Sequence, residues 1–215
     1  ETAVLTHQLG GLGVLNLEGI WTRFEDAEQQ LERVSKAPKD EATAIMQEIY
    51  ETPVKPELIA QRISEIKAAG AVVCGSLTPQ SVQQHYEVAV EAGLDILVIQ
   101  GTVISAEHVS TTVEPLNLKE FISEVPIPTV VGGCASYSTG LHLMRTGAVG
   151  VLVGVGPGAA CTTRGVLGIG VPQATAIADV AAARSQHMLE TGEYVNVIGD
   201  GGMRTGGDIS KAIAC

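Results

Sequence analysis

The stretch GVGPGAACTTRGVLGIGVPQ, residues 154–173, places one thiol among the least bulky residues of the chain. Gly154, Gly156 and Gly158 alternate with Val155 and Pro157. Ala159, Ala160, Cys161, Thr162, Thr163 and Arg164 follow. A lone cysteine is usually a small buried apolar residue. Here the flanking residues are too small to bury it, and Arg164 and the start of a following helix are placed to favour its thiolate. Thr162 and Thr163 bring hydroxyls within reach of whatever the sulfur attacks. The spacing therefore points to Cys161 as a nucleophile. Cys74, Cys134 and Cys215 carry no such context and read as structural. The glycines read either as a flexible turn or as backbone that must approach a ligand closely. Bare carbonyls would ligate a monovalent cation, and bare N–H groups would meet a phosphate. Gly156-Pro157-Gly158-Ala159-Ala160-Cys161 also resembles a dinucleotide fingerprint, weakly, since no partner acid follows about 20 residues on.

A second candidate site is IGDGGMRTGGD, residues 198–208. Asp200 ends an apolar run, where a carboxylate accepts both hydroxyls of a ribose. Gly201 and Gly202 then expose N–H groups. The alternative is an ordinary strand-to-helix turn, and Asp208 is expected to be the N-cap of the helix that follows it.

Positioning these loops falls to a repeated unit. Helical segments end in Gly and a short β-branched run follows, at 68–75, 91–101 and 145–154. Left-handed Gly ends each helix, and the Val/Ile/Leu runs read as strands buried on both faces. The strands are expected at 14–18, 71–75, 94–101, 129–133, 148–154 and 195–200. Helices are expected at 25–34, 41–50, 56–69, 81–92, 118–124, 138–145, 172–189 and 208–214, with the chain starting in a helix. Alternation of this kind makes a parallel α/β sheet with right-handed crossovers. Between a doubly wound sheet and a (β/α)₈ TIM barrel, the barrel is favoured. Cys74, Gln100, Cys134, the Cys161 loop and Asp200 all fall at expected strand C-termini, and the richest glycine loops come late rather than after the first strand. The six strands read as strands two to seven of eight. Residues 1–215 then form one barrel domain, incomplete at both ends, with three short helices and no room for an inserted domain between the first two strands.

Composition narrows the classes. Hydrophobic residues are 45% of 215 and aromatics 3%, so the core is aliphatic. A net charge of −11 argues against nucleic acid and anionic membranes as partners. The four cysteines have no zinc or disulfide spacing. No apolar stretch is long enough to span a bilayer and no signal peptide is visible, so a reduced cytoplasmic location is expected.

Residues 154–177, GVGPGAACTTRGVLGIGVPQATAI, followed by VIGDGGMRTGGDISKAIA at 197–214, resemble the IMP dehydrogenase/GMP reductase family, and the similarity reaches back to LGGLGVLNLEG at 9–19. The resemblance implies a (β/α)₈ barrel in which Cys161 adds to C2 of a purine nucleoside monophosphate and Thr163 assists at that carbon. Asp200 would hold the ribose, and Gly201 and Gly202 the phosphate. The carbonyls of Gly156, Gly158 and Cys161 match a potassium-binding turn. NAD would lie on the side of Gln100, Cys134, Gly154 and Gly156. Three positions depart from the family pattern. Ala159 replaces a phosphate-binding Ser, Gln100 an Asp on the nicotinamide side, and Cys134 an Asn. The GVPQATAI stretch is closer to the dehydrogenase, which oxidises IMP to XMP with NAD. The alternatives are GMP reductase, working with NADPH, and a non-catalytic nucleotide-binding paralogue. A homotetramer is implied, with the adduct-hydrolysing flap expected beyond Cys215.

Overall fold

The computed structural model describes residues 1–101 and 116–215, which divide into two compact units, 1–97 and 98–215. The first holds α1 (Thr2–Gln8), β1 (Val14–Asn16), a 3₁₀ turn (Ile20–Thr22), α2 (Ala27–Lys36), α3 (Ala42–Glu51), α4 (Pro56–Ala68), β2 (Cys74–Leu77), α5 (Val82–Glu91) and the start of β3 (Ile96–Gln100). Pro56 sits in the first turn of α4, where its missing N–H costs nothing. Leu58, Ile59, Ile63 and Ile66 form the buried stripe of that helix, and Leu17, Val73, Leu77 and Val82 pack in the same core. β1 and β2 are parallel, Val14 facing Cys74. Helices α4 and α5 are followed by Gly70 (φ 76°) and Gly93 (φ 99°), the left-handed turn expected from the repeat.

β2 lies later than the 71–75 expected. Val73 is held instead by β3, since its carbonyl accepts from Asp95 and Ile96 N–H at 2.9 and 3.2 Å and its own N–H donates to Asp95 Oδ2 at 2.9 Å. The ladder with β1 runs on through Gly75 and Ser76. Cys74 therefore opens β2 rather than closing it, buried, and burial pushes its thiol up to about 11.

The second unit holds the end of β3, α6 (Leu118–Glu124), β4 (Thr129–Cys134), α7 (Tyr137–Met144), β5 (Gly150–Val153), α8 (Thr163–Leu167), α9 (Gln173–Thr191), β6 (Asn196–Gly199) and α10 (Gly206–Ala214). The strand order is β3–β4–β5–β6 here and β1–β2–β3 in the first unit, each strand beside its neighbour in sequence. The β4–β5 and β5–β6 pairs are parallel. All six residues of β4 are buried, as a strand covered on both faces requires. Gly140 sits mid-helix in α7 because a Cβ there would lie 3.0 Å from Val180 of α9. A side chain there would have to move Val180 by a few tenths of an ångström.

Two findings differ from expectation. Helix α8 supplies the helix start expected beside Cys161, but as a separate element ahead of the helix expected from 172 it was not foreseen; five residues capped by left-handed Gly168 are too short to show a period. The cap of α10 is Thr205, not Asp208. Thr205 is extended and its Oγ1 accepts from Asp208 N–H, while Asp208 at the third helical position accepts from the Thr205 N–H at 3.1 Å. This reciprocal box satisfies two otherwise open donors. Its hydrogen bonds, with Lys211 first, hold the Asp208 carboxyl down at about 2.

Candidate active site

The loop after β5 and the turn after β6 meet glycine to glycine. A Cβ on Gly201 would lie 3.1 Å from Gly158 N, one on Gly202 3.1 Å from Pro157 Cβ, and one on Gly154 2.6 Å from the Asp200 carbonyl oxygen. Gly154 (φ 147°), Gly201 (φ 82°) and Gly202 (φ 79°) are also in a conformation that side chains disfavour. Asp200 N–H donates to Val153 O at 2.8 Å and Gly154 N–H to Cys134 O at 2.8 Å, so the strand ends β4, β5 and β6 carry the two loops in register.

Cys161 is exposed at the tip. Its N–H donates to Gly158 O at 3.1 Å, closing a turn that contains Ala159. Its Sγ lies 3.2 Å from Thr163 Oγ1. A hydrogen bond from that hydroxyl favours the thiolate and holds the Cys161 thiol below the ordinary range; the Thr163 backbone N–H acts the same way, and the Arg164 charge adds a smaller pull. Arg164 was expected to act mainly through charge. The structure uses it as a clamp, with Nε donating to Val155 O at 3.1 Å and Nη2 to Val171 O at 2.6 Å. Both arms of the loop are thereby tied, and Gly170 leaves room for the side chain: a Cβ there would be 2.6 Å from Arg164 Nε.

Gln173 was missed in the sequence. It opens α9, its Nε2 donates to Val153 O at 2.6 Å, and its Oε1 is buried without a hydrogen-bond partner among the described residues. The available signal was a lone polar residue after Pro172, beside loops made almost wholly of glycine.

Of the expected cofactor-side residues, Cys134 and Gly154 are joined through the backbone at 2.8 Å. Cys134 is 1% exposed. The β4–β5 register shifts between Gly132 and Cys134, and the thiol donates to Leu152 O at 3.5 Å; burial pushes it up to about 11. This strand-end residue is packed between β4 and β5. Gly154 packs against Asp200 and Pro157, and a Cβ on Gly156 would meet Thr163 and Arg164 at 3.1 Å. Gln100 alone of the four offers an exposed side chain, and its Nε2 donates to Asp200 Oδ2 at 3.2 Å. No group of three His, Cys, Asp or Glu among the described residues is placed to hold a metal. Gly156, Gly158 and Cys161 lie on the one loop after β5, and the Gly158 carbonyl already accepts from the Cys161 N–H.

The profile of the IMP dehydrogenase / GMP reductase domain matches residues 1–215. The chain belongs to the IMP dehydrogenase/GMP reductase family. An uncharacterized oxidoreductase of Mycobacterium tuberculosis is 49% identical over 222 residues, covering 100% of this chain and 59% of the relative. The inosine-5′-monophosphate dehydrogenase of Haemophilus influenzae is 37% identical over 161 residues, 74% of this chain and 30% of that enzyme. The crystal structure of an IMP dehydrogenase/GMP reductase-like protein from Corynebacterium glutamicum superposes with a TM-score of 0.91 at 44% identity, covering 99% of this chain and 57% of the other. This family member thus spans somewhat over half the length of its mycobacterial and corynebacterial relatives. Its fold class is the one expected, α/β of the (β/α)₈-barrel type, with six strands among the described residues.

Proposed function

We propose that the protein is an oxidoreductase that works on a purine nucleoside monophosphate through a covalent cysteine adduct, oxidising IMP to XMP. The observation that carries this reading is the exposed Cys161 thiol, 3.2 Å from the Thr163 hydroxyl and held below its ordinary pKa range. A thiolate of this kind adds to the electron-poor C2 of the purine, with the displaced electron pair passing to a ring nitrogen. The Thr163 hydroxyl remains within hydrogen-bond reach of groups on that carbon. Asp200 takes the ribose hydroxyls, and the left-handed Gly201–Gly202 turn offers its N–H groups to the phosphate. Ala159, exposed in the Cys161 turn, leaves that phosphate one hydroxyl donor short. Carbonyls of Gly156, Gly158 and Cys161 would hold a potassium ion, which would fix the shape of the loop.

NAD enters as the electron acceptor on family membership alone. The chemistry assigned to this chain's own residues ends at the adduct. A single barrel domain, a homotetramer and a cytoplasmic location belong to the same reading.

The full-length protein incubated with IMP and NAD is expected to form NADH, followed by absorbance. NADPH consumption with GMP, and no NADH from IMP, would reverse the direction. Binding of both nucleotides without turnover would leave a regulatory nucleotide binder. Cys161→Ala is expected to lose turnover while nucleotide binding persists, and retained activity refutes the adduct. Ala159→Ser restores one neutral hydrogen bond and should tighten nucleotide binding about two- to tenfold.

A further inference from the structure

The reading above gives Asp200 a ribose and leaves Gln100 without a task. Gln100 is the last residue of β3 and Asp200 follows β6, with β4 and β5 between them. Their side chains nonetheless meet, Gln100 Nε2 donating to Asp200 Oδ2 at 3.2 Å. In a flat sheet three neighbour spacings would separate these strands by about 14 Å, at about 4.8 Å each, beyond the reach of two such side chains. The sheet of this unit therefore curves enough to bring two non-adjacent strand ends face to face over its C-terminal edge.

The main chain of Asp200 is already fixed from the β5 side. Its N–H donates to Val153 O at 2.8 Å, and its carbonyl is packed against Gly154 so closely that a Cβ there would be 2.6 Å away. What remains free is rotation of the carboxylate. Among the described residues that carboxylate takes the Gln100 hydrogen bond and no ion pair. An amide occupies one lone pair of Oδ2 and adds no charge, so Oδ1 stays open as an acceptor.

We infer that Gln100 is a positioning residue: it holds the Asp200 carboxylate in the orientation that receives the ribose hydroxyls, and governs nucleotide affinity without touching the nucleotide. The inference rests on Asp200 being the ribose ligand, and it assigns Gln100 to the nucleotide side rather than to the cofactor.

The test is calorimetry on the full-length protein with IMP and with 2′,3′-dideoxy-IMP. Gln100→Ala should weaken IMP about two- to tenfold, the net value of one solvent-exposed hydrogen bond, and leave the dideoxy nucleotide unchanged. Gln100→Glu, isosteric but charged, should weaken IMP further, because like charges at that distance repel. In an Asp200→Ala background Gln100→Ala should cost nothing more, as a residue acting only through its neighbour must. Equal losses for both nucleotides would reduce Gln100 to a packing role, and a raised KM for NAD at unchanged IMP affinity would make it a cofactor contact; either overturns the inference. If Asp200→Ala itself leaves IMP affinity unchanged, the ribose assignment falls and this inference with it. An Asp200-dependent affinity indifferent to Gln100 overturns the inference alone.

Discussion

At the scale of single residues, two of the cysteines show how surroundings decide a thiol's chemistry. Cys161 is exposed beside a hydroxyl and has its pKa lowered, while Cys134 is enclosed by β4 and β5 and sits near 11. A lowered pKa means that the thiolate appears at lower pH, so alkylation of Cys161 should begin below the pH at which an ordinary thiol reacts. Thr163→Val removes the largest cause of the shift. The rate-against-pH curve for iodoacetamide, read by peptide mass spectrometry, should then move to higher pH at Cys161, while Cys74 and Cys134 stay unlabelled in the folded protein at neutral pH. An unmoved curve would show that the Thr163 hydroxyl does not support the thiolate.

At the scale of elements, the loops hold their shape through glycines that are not interchangeable. Gly154 combines φ 147° with the Asp200 carbonyl 2.6 Å from where a Cβ would stand. Gly154→Ala should therefore push the β6 turn off β5, lowering the melting temperature by several degrees and weakening nucleotide binding together. Gly165, inside α8, has nothing within 4 Å of a built Cβ. Gly165→Ala should be neutral or stabilising by up to about 1 kcal/mol, since alanine loses less backbone entropy in a helix. Thermal melts of the two variants check the contrast. Equal destabilisation would mean that the loops adapt and that close approach is not what the glycines provide.

At the scale of the molecule, the terminal helices α1 and α10 have no buried residue along their whole length, and Leu9 and Ile213 are 89% and 81% exposed. β1 and β6 each have a strand partner on one side within the given order. Unpaired strand edges flanked by exposed aliphatics promote association. The 215-residue polypeptide expressed by itself should self-associate and show no turnover. Size-exclusion chromatography with light scattering and an IMP/NAD assay check this; a monodisperse, active monomer would contradict it.

The sequence by itself determined the alternation of helices and strands, because β-branched runs after Gly-terminated helices carry their period locally. It also placed Cys161 and Asp200 in loops after strands, with Thr163 two residues beyond the thiol, because motif spacing survives without coordinates. Only the tertiary structure decided which partners those residues take. Thr205 rather than Asp208 caps α10, because the reciprocal hydrogen bonds need Thr205 extended and Asp208 already within the first turn. Arg164 became a clamp because two carbonyls of its own loop, Val155 and Val171, converge on its guanidinium. Cys134 is enclosed because every residue of β4 is buried, including the end where its register with β5 shifts. Gln100 met Asp200 because the sheet curves, and curvature is a property of strands acting together that no local stretch of residues records.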